Sequence, residues 1–312
     1  MLILSINAMA DQNRNIGLDI LRIIAMISVT SIHFIAYSGV GKMSLTELGT
    51  LDFLFIKSFQ SINVCFINLF VMLTGYFMAA KPTRLSKLFR LYGEVLFVGI
   101  LVMTLCVVGG VPVRGVSVLR AFFPLSTAAY WYVVEYMLLY LMIPLLNQII
   151  SIYNQNFGRF LIAAGFISTI LVASNPFPKT DSFLGPGCSL LWFCYVYLIG
   201  AYIRIYDIPR ISIKMWLLIG LLSYSCIWLI LAFRPTLPLR TELLEANCFL
   251  PLVLTLSVFM LLKDVHISNR SVSRVISALS VCSFNVYLIQ ESDSFRATLW
   301  QIFDAKKFVG GG

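Results

Sequence analysis

Long apolar runs recur along the whole chain, separated by short polar breaks, and about 20 consecutive apolar residues make one helical crossing of a bilayer. On that measure the pattern predicts nine spans, near 18–39, 52–79, 88–110, 130–150, 159–174, 188–206, 214–232, 246–262 and 276–291. The longest breaks on the side opposite the N-terminus are 111–129, "VPVRGVSVLRAFFPLSTAA", and 233–245, "FRPTLPLRTELLE"; their prolines stop helices, and either would cover a site on that face. The final stretch, "ESDSFRATLWQIFDAKKFVGGG", has an apolar core too short and too charged for an ordinary crossing, and reads as an interfacial or truncated tenth element. The expected fold is all-α: a polytopic integral membrane helical bundle of nine to ten transmembrane helices. It divides into a cytoplasmic N-terminal segment (1–17), the transmembrane domain (18–291) and a short C-terminal element (292–312).

Composition sharpens this picture. Of 312 residues, 59% are hydrophobic and 12% charged, against about 25% charged in a soluble domain. Mean hydropathy is +0.89, and no polar block is large enough for a separate soluble domain of about 50 residues. The net charge of +9 would point to nucleic acid in a soluble protein; here it follows topology. With a cytoplasmic N-terminus, Arg14, Arg22, Lys81, Arg84, Lys87, Arg90, Arg159, Arg204, Arg210, Lys214, Lys263, Arg270 and Arg274 fall inside. Lys42, Arg114, Arg120, Lys179, Arg234 and Arg240 fall outside, as the positive-inside rule requires. The opening "MLILSINAMA" lacks the basic leader and apolar length of a signal peptide, and Met9 is an alternative start. The seven cysteines form no C-x-x-C and no Cys/His cluster, so they read as small buried hydrophobes with no metal site and no disulfide framework.

Against this background a few polar residues are out of place. In "LDILRIIAMISVTSIH" (18–33), Asp19, Arg22 and His33 sit among apolar neighbours. Arg22 and His33 are eleven positions apart, about three turns plus 20° and a rise of about 16 Å, so they share one helix face. Asp19 lies one turn from Arg22, within ion-pair reach. Two readings fit. Arg22 snorkels to headgroups, Asp19 caps the helix and His33 hydrogen-bonds a neighbouring span; or His33 is a general base, since neutral imidazole takes a proton from a hydroxyl near neutral pH. The other histidine, His266, lies in the basic loop "KDVHISNR" and reads as a surface residue.

In "KPTRLSKLFRLY" (81–92), Arg84, Lys87 and Arg90 recur every third position and spread over a face of about 120°. They are either ordinary inside-loop cations or a clamp for phosphates. Glu94 and Glu135 stand within apolar runs and are expected to face the protein interior or a wet cavity. Trp131, Tyr132 and Tyr136 around Glu135 form either an interfacial aromatic belt or a stacking platform for a sugar.

Together these segments resemble the membrane-bound acyltransferase-3 family of bacterial O-acyltransferases. "DILRIIAMISVTSIH" is similar to the family's first-helix pattern of Arg, ten residues, then His, with Arg22 and His33 in those places. "FINLFVMLTGYF", "RLSKLFR", "YWYVVEYMLLYLMIPLLN", "LWFCYVYLIGAYIR" and "FNVYLIQ" resemble its later segments in order, over roughly residues 14–291. Two departures stand out: Lys87 occupies a position where arginine is frequent, and the final element is short or missing.

The resemblance implies an acetyl-CoA-dependent O-acetyltransferase of the bacterial cytoplasmic (inner) membrane. It would move an acetyl or other acyl group from cytoplasmic acyl-CoA to a hydroxyl of an envelope glycan or lipid-linked sugar, with membrane lipid around it, no permanently bound cofactor, no metal and no nucleic acid. On that basis Arg84, Lys87 and Arg90 would hold the CoA phosphates and Arg22, oriented by Asp19, would guide the thioester. His33 would deprotonate the acceptor or carry the acyl group, and Glu135, Trp131 and Tyr132 would meet the acceptor. The reading requires Arg22 and His33 to face one cleft. The rival class is a lipid-linked glycan transporter or flippase, in which the same charges line a pathway.

Overall fold

The computed structural model describes residues 14–44, 48–127, 129–152, 157–174, 189–206, 211–233 and 245–303. Its described elements are helices: α1 (Ile16–Ser38), α2 (Thr50–Cys65), α3 (Asn68–Met78), α4 (Leu85–Val108), α5 (Gly115–Phe122), α6 (Trp131–Ile152), α7 (Phe157–Ser174), α8 (Leu190–Tyr206), α9 (Ile213–Phe233), α10 (Phe249–Leu262), α11 (Arg270–Glu291) and α12 (Arg296–Ile302). Six segments are long and apolar enough to cross a membrane: α1, the α2–α3 unit, α4, α6, α9 and α11; α7, α8 and α10 are shorter apolar helices. The protein is a multi-pass helical membrane protein whose elements coincide with the nine predicted spans. The 233–245 connection falls almost wholly outside the described residues.

Local chemistry sets the ends. Asn15 caps α1 by accepting from the Leu18 amide at 3.2 Å, while its own amide donates to the Lys263 carbonyl at 2.8 Å, tying the start of α1 to the end of α10. Gly39 closes α1 in the left-handed region (φ 77°). Asn269 caps α11, accepting from the Ser271 and Val272 amides.

The second predicted span is interrupted at Phe66–Ile67. Tertiary contacts satisfy the break: the buried Thr255 hydroxyl donates to the Cys65 carbonyl at 2.6 Å. Asn68, 1% exposed, donates to the Ala246 carbonyl and accepts from the Trp192 indole, each at 2.9 Å. A polar backbone opening inside an apolar bundle persists only when paired in this way.

Small residues let backbones meet. A Cβ at Gly75 would land on the Tyr197 carbonyl oxygen and one at Gly200 on that of Met72, so α3 and α8 pack backbone to backbone, the glycine-mediated contact of membrane helices. Around this seam Leu21, Leu69, Met72, Leu139, Phe193 and Tyr197 form the main core. A second core joins α4 to α1 and α11 through Met26, Val95, Val98 and Leu288. The outward faces of α4 and α9 remain apolar, with Phe97, Leu105, Leu218 and Leu222 among the exposed residues, a surface suited to lipid and not to water. Cys226 and Cys282 lie on exposed faces, in contrast to the buried character expected of the cysteines.

The contacts that organise the rest are between the first and last long helices. Asp19 near the start of α1 meets Ser277 and Ser280 in the first half of α11, and Tyr37 near the end of α1 meets Glu291 at the end of α11. The two helices therefore run parallel, and every third residue of α11 from Ser277 to Ser283 is a buried serine.

Candidate functional site

At the start of α1, Asp19 is 1% exposed and gathers the cations around it. Arg14 donates from two nitrogens, at 2.5 and 3.0 Å; Arg22 pairs at 2.9 Å, as the three-residue spacing predicts. Ser277 and Ser280 donate at 3.1 and 2.8 Å. A carboxylate this buried persists because its oxygens are filled by two guanidinium and two hydroxyl partners. Arg22 also lies over the Phe77 ring, 4.7 Å from its centroid. Arg14 and Arg22 line part of a cavity of about 450 Å³, whose walls include Thr74, Phe77, Tyr136 and Ser280.

Nearer the far end of α1, His33 lines a second cavity of about 120 Å³ with Met26, Val29, Trp131 and Tyr287. Arg22 and His33 thus belong to two adjoining cavities, not to the single cleft expected from their shared face. Phe70, Tyr132 and Phe284 stand on the walls of both. The Phe70 and Tyr132 rings meet edge-on at 6.3 Å where the two cavities adjoin. The physical reason for the difference is distance: a three-turn rise leaves room for a layer of large side chains from α3, α6 and α11 between the two groups.

The Nδ1 atom of His33 is 3.3 Å from Glu291 Oε1, close enough for an ion pair once the ring is protonated, though not aligned as a hydrogen bond. Glu291 is 3% exposed. Its carboxylate accepts from the Tyr37 hydroxyl at 2.9 and 3.2 Å and from Arg296 at 3.4 Å. Arg296 lies over the Tyr37 ring at 5.0 Å, and Tyr37 stacks on Trp300 of α12 at 6.2 Å. With Nδ1 turned to a carboxylate, the imidazole keeps Nε2 for a reactant, the arrangement by which a buried acid orients a histidine base.

The loop between α11 and α12 is pinned in turn by α5. Asp293 accepts from Ser117 at 2.5 Å and from Arg120 at 2.6 Å, and lies 3.5 Å from Arg296. Burial alone would raise the Asp293 carboxyl, but the hydrogen bonds from Ser117 and Arg120 and the charges of Arg120 and Arg296 outweigh it and hold it below the ordinary aspartate range. The stretch expected to be an interfacial or truncated tenth element therefore completes the surroundings of His33.

The remaining sequence candidates are spread more widely. Arg84, Lys87 and Arg90 are exposed on the first turns of α4; the wall of the larger cavity takes Leu91 from this helix and none of the three cations. Tyr132 belongs to both cavities and Trp131, 39% exposed, to the smaller one. Glu135 lines neither; it is half-buried, with one carboxylate oxygen lacking a partner among the described residues. Glu291, Arg296 and Tyr37 were not singled out by the sequence; Tyr287 stood out only as a polar residue in the apolar run "FNVYLIQE". The available signal was Tyr287 and Glu291 four apart on one helix face, with the arginine five positions further on.

No curated protein and no solved structure matches the chain significantly. The model of the acyltransferase-3 family, described as an acyltransferase domain, matches residues 15–306, a range that takes in Asp19, Arg22 and His33 and also the Glu291–Arg296 segment. A match over nearly the whole chain, joined to a multi-pass bundle with a cavity-lining histidine backed by a carboxylate, makes this protein a membrane acyltransferase of that family.

Proposed function

We propose that the protein transfers an acetyl group from acetyl-CoA to a hydroxyl of an envelope glycan or lipid-linked sugar, in the bacterial cytoplasmic membrane with its N-terminus in the cytosol. The observation that carries this reading is His33, backed by Glu291, on the wall of an apolar cavity that adjoins a second one lined in part by Arg14 and Arg22. The two arginines suit the anionic donor, and Arg84, Lys87 and Arg90, exposed on α4, suit its outlying phosphates. The excess of Lys and Arg in the connections that alternate to the N-terminal side supports the orientation.

In this mechanism the donor enters past Arg22, held in place by Asp19, and presents its thioester to the adjoining cavity of His33. His33 Nε2 takes the proton of the acceptor hydroxyl as its oxygen bonds to the acyl carbon, and Glu291 balances the charge the ring acquires. Collapse of the tetrahedral adduct breaks the C–S bond, and the departing thiolate takes the proton from the imidazolium. The products are the O-acetyl sugar and free CoA. Trp131 and Tyr132 meet the acceptor, with Glu135 one turn deeper along α6. A glycan transporter needs no base of this kind.

The experiment is labelled acetyl-CoA supplied to inside-out membrane vesicles, with wild type, His33→Ala and Arg22→Ala brought to equal abundance. The expected result is label on the envelope glycan with wild type, none with His33→Ala, and a raised donor KM with Arg22→Ala. A glycan that changes location but never gains an acetyl-sized mass would replace this reading with transport.

A further inference from the structure

Acyl transfer places a full negative charge on the carbonyl oxygen of the tetrahedral adduct, and in a small apolar cavity that charge needs a fixed donor. Polar side chains on the wall of the smaller cavity are His33, Trp131, Tyr132 and Tyr287. His33 is committed to the proton. Trp131 is 39% exposed, and Tyr132 is shared with the neighbouring cavity.

Tyr287 is the most deeply buried of the four. It is 5% exposed, and its buried hydroxyl donates to no partner among the described residues. A buried phenol whose proton is left without an acceptor is a cost that a native structure rarely carries without use. Its ring is fixed by three aromatic neighbours, Tyr130 at 6.2 Å, Tyr132 at 5.9 Å and Phe284 at 6.3 Å, and its centroid is 6.4 Å from that of His33. It stands one helical turn before Glu291 on α11, so a single helix carries both the carboxylate behind the base and the phenol beside it.

Resting on the transferase reading, we infer that Tyr287 is a catalytic residue whose hydroxyl donates a hydrogen bond to the acyl carbonyl oxygen as negative charge builds on it. Preorganisation is what makes such a donor effective: the ring cage holds the phenol in place before the reaction, so little rearrangement accompanies charge development.

The test is Tyr287→Phe in the full-length protein, purified into lipid nanodiscs and assayed with acetyl-CoA. Expected is a fall in kcat of roughly 100- to 1,000-fold, the usual cost of one oxyanion donor, with donor KM within about threefold. Slow hydrolysis of acetyl-CoA without acceptor passes through the same kind of adduct and falls by the same factor. An unchanged kcat overturns the inference, as does unchanged hydrolysis with a raised acceptor KM, which would make Tyr287 an acceptor contact. If the Phe variant does not accumulate, 3-fluorotyrosine placed at 287, similar in shape and a stronger donor, is expected to raise kcat about twofold or more; no change overturns the inference. His33→Ala, run in parallel, bears on the base alone: an inactive His33→Ala beside a normal Tyr287→Phe removes this inference and leaves the transferase reading standing.

Discussion

Replacing Glu291 by glutamine removes one charge with almost no change in size. The amide oxygen can still accept from Tyr37, so the ring stack and the end of α11 keep their geometry; what is lost is the negative charge 3.3 Å from His33 Nδ1. A unit charge pair at that distance is worth about 5 kcal/mol at an effective dielectric constant of about 20. Arg296, 3.4 Å from the same carboxylate and 32% exposed, already offsets part of that field and admits solvent screening. The expected loss of transition-state stabilisation is therefore about 2–4 kcal/mol, or roughly 30- to 1,000-fold in kcat. Donor KM should change little, because the Arg14–Arg22 cavity is untouched. The assay is initial-rate transfer from labelled acetyl-CoA by nanodisc-embedded protein, with a thermal melt to confirm that the variant is folded. A kcat within about threefold of wild type would refute the pairing of imidazole and carboxylate as a working unit.

Two further outcomes concern the scaffold. Gly75→Ala drives a methyl group into the Tyr197 carbonyl and is expected to destabilise the bundle by about 1–3 kcal/mol, read as a lower melting temperature in detergent; Gly93→Ala, where the added Cβ meets open space, should shift stability by no more than about 0.5 kcal/mol. Asp293 titrates below its unfolded value, so its contribution to stability is fully present above about pH 3.9 and is lost as pH falls through the lower folded value. The melting difference between wild type and Asp293→Asn should accordingly hold steady at neutral pH and shrink only in acid; a difference that shrinks between about pH 6 and 8 would contradict the Ser117–Arg120–Asp293 tether.

Much of the fold was legible because lipid demands length and hydrophobicity together, and both are written in sequence order. The interruption at Phe66–Ile67 was not, since its residues are as apolar as their surroundings and the break is held by Thr255, Trp192 and Ala246, far away in the chain. The α5 helix was hidden in a connection whose Pro112 and Pro124 bracket it, so the breakers were visible and the eight residues between them were not. Within the site, Asp19, Arg22 and His33 were legible as charges and an imidazole inside an apolar run. Glu291 was not, because an acid at the end of a span is what an interface ordinarily carries; only the fold brings it under His33. The three-residue rhythm of Arg84, Lys87 and Arg90 describes a helix face but not its direction, which proves to be outward, away from the cavity wall.

Tyr37 and Glu291 are 254 positions apart, so the first helix waits for the last before its histidine acquires an acidic neighbour. Insertion proceeds from the N-terminus, and during most of synthesis the imidazole is present without the carboxylate and guanidinium that complete it. Under the proposed mechanism the base therefore gains its acidic partner only when the closing helix docks, so the reaction centre is assembled by the last step of folding.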